Sequence, residues 1–379
     1  MRLAIAAGLL VAGCTGAATV AGDRSSTGAA DSPPTGDAVL SVRWRRLLTE
    51  PGLIEYKPQE FAAAATDGVR VFIGSHGGNF FALRRSDGEV LWRKKIAAGV
   101  SGRPLYLADA KAVFVGADDG GMYCLDAATG VERWVYRTKG PIASEPVYEE
   151  GMLYFFNGED RIYALDGHTG AWRWQYEREA PESFSIRGSA SPLVFGGRAY
   201  VGFADGYLAA LNARTGDVIW ARSLAGENAH FSDVDATPAL VDGTLYVSSY
   251  SGGVYALDPA EGGVRWRYEV EGAGTVRVDR GRVYFAAARE GLHCLDTKGR
   301  LLWRQSLARQ GELSQPVLVR GRYLLLSASE GGTYVADAAS GRLLQFFQPG
   351  HGVTAPPVSD GRQVYVLTNT GFFYAFALD

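Results

Sequence analysis

Cysteine, methionine and histidine are scarce, at three, three and five in 379 residues. Three cysteines cannot staple a chain of this length, and Cys14, Cys124 and Cys294 are spaced unlike any metal cluster. His76, His168, His230, His293 and His351 scatter without a close pair, so no metal site is visible. An excess of charge is missing too. Lys and Arg total 38 against 41 Asp and Glu, giving a formal charge of -3, which excludes a broad positive field for nucleic acid. There is no nucleophile elbow, no Walker phosphate loop and no dinucleotide fingerprint in a strand-to-helix context. Helical spacing is not sustained anywhere beyond the first dozen residues. A coherent set of acid, base and electrophile is absent, and catalysis is not expected.

What is abundant is glycine, 49 residues, within a composition 47% hydrophobic and 12% aromatic. That excludes a disordered chain and favours many short strands joined by tight turns. The chain opens with Met1-Arg2 and an apolar run over 3–12, too short for a permanent membrane span. Leu10-Val11-Ala12-Gly13-Cys14 resembles the lipobox of bacterial lipoproteins. The resemblance implies a signal peptide over 1–13, with Cys14 acylated, as by palmitate, at the mature N-terminus. Thr15 rather than Asp follows it, the pattern of lipoproteins sent to the outer membrane. Residues 14–38 carry almost nothing bulky and are expected to form a flexible tether. Arg2, Arg24, Asp23, Asp31 and Asp37 leave the count with this segment, so the remainder, 39–379, is nearly neutral.

From Val69 onward one pattern recurs: a β-rich run, a glycine turn, an aromatic run ending in Leu-Asp or similar, a second glycine, then tryptophan. Its end positions are Trp92, Trp134, Trp174, Trp220, Trp266 and Trp303, with Gln345 where the next tryptophan is due. Steps of 37 to 46 residues are the length of one four-stranded propeller blade. Each blade is a meander with two apolar faces that only neighbours can cover, so the repeat closes into a ring. Residues 353–379 supply part of an eighth unit and stop before its glycine and tryptophan. Val39 to Leu47, with Val42-Arg43-Trp44, can supply the missing outer strand. The expected fold is therefore an all-β, eight-bladed β-propeller of four-stranded antiparallel blades, closed by pairing the N-terminal strand with the C-terminal ones.

Pro104, Pro146, Pro192, Pro238, Pro316 and Pro357 each stand before a short apolar strand, where proline restricts the entrance without costing a ladder bond. The sixth unit departs from this at Val276-Arg277-Val278. The phased tryptophans are expected to fill contacts between sheets, each indole N–H finding a local acceptor. Asp126, Asp166, Asp258, Asp296 and Asp337 recur with the blades and are expected to cap turns. Cys124 and Cys294 occupy matching places half a ring apart, as small buried side chains.

These repeats resemble the quinoprotein-like propeller family, and together with lipobox and tether they look like the BamB family, lipoproteins of the outer-membrane β-barrel assembly (BAM) machinery. Two segments carry that resemblance: Ser183-Phe184-Ser185-Ile186-Arg187-Gly188 and Ser232-Asp233-Val234-Asp235-Ala236-Thr237-Pro238. It implies that Phe184, Ile186, Arg187, Asp233 and Asp235 contact the periplasmic domains of BamA, with other BAM complex members and unfolded outer-membrane proteins as further partners. It also implies a noncatalytic scaffold on the periplasmic face of the outer membrane, without a cofactor. Apolar burial by Phe184 and Ile186 and charged bonds by Arg187 fit such an edge. An alternative keeps Phe184 and Ile186 in the core and the aspartates on local turns. Two further readings are a periplasmic quinoprotein oxidoreductase and a general envelope propeller for a polysaccharide or another protein. Against the former, the adjacent cysteine pair and compact metal-ligand set of quinone enzymes have no counterpart here.

Overall fold

The computed structural model describes residues 38–49, 59–178, 190–225, 233–307 and 311–379. Among these residues every regular element is a strand, and no helix is long and apolar enough to cross a membrane. Cys14 and the leader lie outside the described residues.

The strands form eight four-stranded antiparallel sheets. Seven are continuous in sequence: blades 1 to 7 span 65–95, 105–137, 147–177, 193–223, 239–268, 277–305 and 317–347. Strands are lettered A to D from the axis outward, and the A strands of neighbouring blades approach one another around the centre. The eighth blade takes its three inner strands from 358–378 and its outer strand from Leu40–Leu47. Leu40 pairs with Leu378 and Leu47 with Phe372, so the two ends of the described chain lie in one sheet, as the sequence predicts.

Eight apolar clusters occupy the gaps between neighbouring sheets, one per gap. The gap between blades 8 and 1 holds Trp44, Tyr365 and Phe373 against Val71, Ile73 and Leu83, which shows the ring closed by packing as well as by strand pairing. The opposite gap, between blades 4 and 5, holds Tyr200, Leu208, Val247 and Tyr255. Strands B and C are buried on both faces and their sequences are nearly continuous in apolar residues, as at Ala112–Gly116 and Gly121–Asp126. The A strands begin directly after Pro104, Pro146, Pro192, Pro238, Pro316 and Pro357. Blade 6 starts at Arg277 after Val276, and an isolated bridge between Ala273 and Ala287 secures its entrance.

The tryptophans do what their phasing predicts. Each ring lies against the glycine of the next blade's C-to-D turn: a Cβ at Gly130 would stand 2.6 Å from Trp92, and one at Gly216 2.7 Å from Trp174. The same glycines hold φ near +75°, at +72° and +81° respectively, so both space and backbone require glycine. Indole N–H groups reach carbonyls of the same turn, Trp92 to Ala127 at 3.1 Å and Trp174 to Ala213 at 2.9 Å. Trp303 corrects the general expectation: its buried N–H has no partner, and the equivalent carbonyl, Ala338, accepts a bond from Arg282 at 3.2 Å. In all eight blades a bulge in strand D skips the residue before the tryptophan position, as between Cys124 and Leu125 opposite Arg133.

Gln345 is explained by the closure. A tryptophan there would need a C-to-D turn in blade 8, and blade 8 has the chain ends instead. The Gln345 side chain accepts the Leu40 N–H at 2.7 Å and donates to the Leu40 carbonyl at 2.9 Å, pinning the start of the closing strand. The recurrent aspartates cap turns as expected: Asp126 Oδ1 accepts the Ala128 and Thr129 amides, both at 3.0 Å, and Arg133 pairs with Oδ2 at 2.8 Å, which holds the carboxyl down at about 2. Cys124 and Cys294 are free and buried in blades 2 and 6, and burial pushes both thiols up to about 11.

Candidate docking face

In a propeller blade the connections from D to the next A and from B to C emerge on one side of the ring, and those from A to B and C to D on the other. Both segments singled out in the sequence are D-to-A connections, following Trp172–Glu177 in blade 3 and Val218–Ser223 in blade 4. Both connections leave and rejoin the sheets on the same face. Phe184, Ile186 and Arg187 lie outside the described residues. Asp233 and Asp235 are described, together with the points where both connections rejoin the sheets.

Those points are bonded to each other. The Ala190 N–H donates to Asp235 Oδ1 at 3.3 Å, and the Ser191 N–H to Thr237 Oγ1 at 2.9 Å. The relay runs on around the axis, from the Glu145 N–H to Ser191 Oγ at 2.9 Å and from the Thr237 N–H to Thr275 Oγ1 at 3.3 Å. Hydroxyls at the residue before proline or its substitute thus tie blades 3 to 6 at their inner rim. Glu145, whose carboxyl burial pushes up, faces Arg103 of blade 2 at 3.4 Å.

Between the aspartates, Val234 is fully buried: its N–H donates to the Phe203 carbonyl at 3.1 Å, and a Cβ at Gly202 would stand 2.1 Å from the Val234 carbonyl oxygen. Alternation then separates the two acids. Asp233 is buried, with 2% of its surface exposed, and its carbonyl accepts the Tyr250 N–H at 3.0 Å. Asp235 reaches solvent at its edge, yet its carboxyl is partly withdrawn from water. That burial pushes it up to about 7; the Ala190 N–H opposes the shift, while the charges of Asp233 and Asp160 add to it.

Asp160 was not singled out in the sequence. It stands in the B-to-C turn of blade 3 at φ +59°, where blades 1, 2 and 4 have Gly78, Gly120 and Gly206. Its carboxylate accepts the Ala204 N–H at 3.1 and 3.3 Å, joining this turn to the matching turn of blade 4. Asp205 in that second turn pairs with Arg178, whose guanidinium lies 4.1 Å over the Tyr207 ring. The departure from glycine was the signal available in the sequence. Among the described residues this face carries the carboxylates of Asp160, Asp205 and Asp235 and the guanidinium of Arg178, held by bonds between neighbouring turns.

Among the described residues no three His, Cys, Asp or Glu side chains are placed to share a metal ion. The thiols of Cys124 and Cys294 are single and buried in separate blades. This donor set does not fit a metal-held quinone.

The architecture defines the class: a quinoprotein-type propeller presenting loops from one face. The sequence profile of the family described as outer membrane protein assembly factor BamB matches residues 29–110, 106–298, 252–344 and 289–379. The chain belongs to that family. BamB of Legionella pneumophila is 30% identical over 95 residues, 25% of this chain and 24% of that protein, so the match spans about a quarter of the relative's length. The crystal structure of BamB from Moraxella catarrhalis aligns with a TM-score of 0.78 at 21% identity, covering 89% of this chain and 100% of that one. A quinohemoprotein alcohol dehydrogenase from Pseudomonas putida aligns with a TM-score of 0.68 at 14% identity over 89% of this chain and 76% of its own. Both structural likenesses concern the fold.

Proposed function

We propose that this chain is a noncatalytic scaffold of the β-barrel assembly machinery, anchored through Cys14 to the periplasmic face of the outer membrane, which binds the periplasmic domains of BamA. The observation that carries the reading is the pair of bonds from Ala190 to Asp235 and Ser191 to Thr237, which ties the exits of the two family segments into one platform. On it Asp235 faces the partner, Asp233 stays buried behind it, and Phe184, Ile186 and Arg187 supply apolar area and a directional charge. Other members of the machinery and unfolded outer-membrane proteins are further partners under this reading.

Calorimetry of the chain with BamA periplasmic domains tests it. Binding is expected, weakened by Arg187→Glu with the β spectrum preserved, because the change reverses a contact charge without removing a core ring. A folded chain that releases no heat of binding would overturn the assignment, and loss of fold in the variant would place Arg187 in the core.

A further inference from the structure

The D strands of the eight blades carry thirteen lysines and arginines against two glutamates, in a chain whose formal charge is -3. Around most of the ring this charge is neutralised locally. In blades 2, 3 and 5 the bulged arginine before the tryptophan meets the aspartate that opens the C-to-D turn: Arg133 with Asp126 at 2.8 Å, Arg173 with Asp166 at 2.8 Å and Arg265 with Asp258 at 2.9 Å. In blade 6 Arg304 meets Glu290 at 2.7 Å.

In blade 4 Arg222 donates to the Gly262 carbonyl at 3.0 Å without a carboxylate, and at blades 8 and 1 such cations gather into a cluster. Arg43 holds the bulged place in blade 8, but Ala377, opposite Gln363, stands where Asp126 stands opposite Ala112 in blade 2. Its counter-charge is missing because the turn that would carry it is missing. Arg45, Arg46 and Arg93 are exposed as well, and none of these four has a carboxylate partner among the described residues. Arg45 lies 5.5 Å over the Phe372 ring, Arg46 donates to the Gly88 carbonyl at 2.8 Å and Lys95 to the Gly77 carbonyl at 2.6 Å, contacts that orient cations without neutralising them. Nearby acids are engaged: Asp87 and Glu89 by Arg84, Glu132 by Lys94. Val42, Leu47 and Leu91, 54%, 45% and 41% exposed, stand among the cations.

We propose that the outer strands of blades 8 and 1 form an edge that lies against anionic phospholipid headgroups. Charge complementarity selects the occupant: guanidinium and ammonium groups without a carboxylate partner among the described residues, interspersed with exposed aliphatic side chains, match a phosphate-bearing interface with apolar material just beneath. Chain connectivity selects it independently. Leu40–Leu47 directly continues the segment expected to bear the lipid at Cys14, and the 25 intervening residues reach no more than about 90 Å even fully extended. A tethered edge needs little intrinsic affinity, since the anchor keeps its local concentration high. The location rests on the lipid-anchor reading. BamA binding is separate, because the docking loops leave from a different surface.

The test is co-sedimentation of the full chain carrying Cys14→Ser, so that no acyl chain contributes, with vesicles of phosphatidylcholine alone or with a third phosphatidylglycerol. Binding is expected only to the anionic vesicles, and it is expected to be abolished by 0.5 M salt. Arg43→Glu/Arg45→Glu/Arg93→Glu should weaken it by roughly tenfold or more. Arg214→Glu in blade 4, at an exposed ion pair with Glu150 of blade 3, should leave it unchanged. Equal binding to both vesicles, no binding to either, or an unaffected triple variant would each overturn the proposal. So would capture of polyglutamate in place of vesicles, which would make the edge a site for acidic protein. Calorimetry of the triple variant with BamA periplasmic domains separates this outcome from failure of the docking assignment.

Discussion

Blade 8 differs from the other seven in one topological fact, that its outer strand comes from the opposite end of the chain, and its side chains follow from that fact. Where a continuous blade offers a turn glycine, its neighbour sends a tryptophan; where blade 8 offers chain ends, blade 7 sends Gln345, with a bond to each polar group of the Leu40 backbone. In blades 2, 3 and 5 the bulged arginine meets a turn aspartate; in blade 8 Arg43 has no carboxylate partner among the described residues. A repeat protein thus shows its seam through residue types that fit a missing partner, and the departures from the repeat are as informative as the repeat.

Substitutions on either side of that seam should separate the two kinds of contact. Trp174→Ala empties a buried inter-blade position and should cost about 3–5 kcal/mol in denaturant unfolding. Gly216→Ala presses on the same ring from the next blade and also forbids the φ of +81°, so a loss of about 2–3 kcal/mol is expected. Gln345→Ala removes two hydrogen bonds at the seam and no large apolar surface. It should cost only about 1–2 kcal/mol, and a loss as large as that of Trp174→Ala would show that the seam is packed like the other gaps. Finer still, Trp92→Phe deletes a made indole bond and Trp303→Phe an unmade one, so the first should be the more damaging by about 1 kcal/mol. The smallest change is expected at Asp235, whose solvent contact screens its charge. Its carboxyl is raised to about 7 in the folded chain, so the stability it contributes is complete below its unfolded range near 4 and is lost as pH rises towards 7. Asp235→Asn should flatten that slope and leave the variant the more stable above pH 7, as read from thermal midpoints between pH 4 and 8.

The strand pattern was legible because short apolar runs, proline at strand entrances and the glycine–tryptophan spacing are all local in sequence. Even the closure was legible, since an incomplete eighth unit and an orphan strand at Leu40–Leu47 complement each other. The role of Gln345 was not, because its partner is the backbone of Leu40, 305 residues away, and backbone has no sequence signature. Nor was the bulge in every D strand, which arises from sheet twist and turn geometry. Of the two family-like segments that the sequence singles out, Asp233 and Asp235 are described, one buried and one facing solvent, while Phe184, Ile186 and Arg187 lie outside the described residues. Asp160 escaped attention because a carboxylate in a turn is common; only its positive φ and its bond across to Ala204 distinguish it.

The pairing of Leu40 with Leu378 also orders events in time. Blade 8 cannot be completed until the very last strand has been synthesised, and bringing its ends together requires closing a loop that contains nearly the whole molecule. Seven sheets are then available before their common lock. A chain cut short by even one strand would hold most of its native contacts and still be an open ring with bare edges. The presence of both Leu40–Leu47 and Phe372–Leu378 is therefore checked by the fold itself, at the closing step.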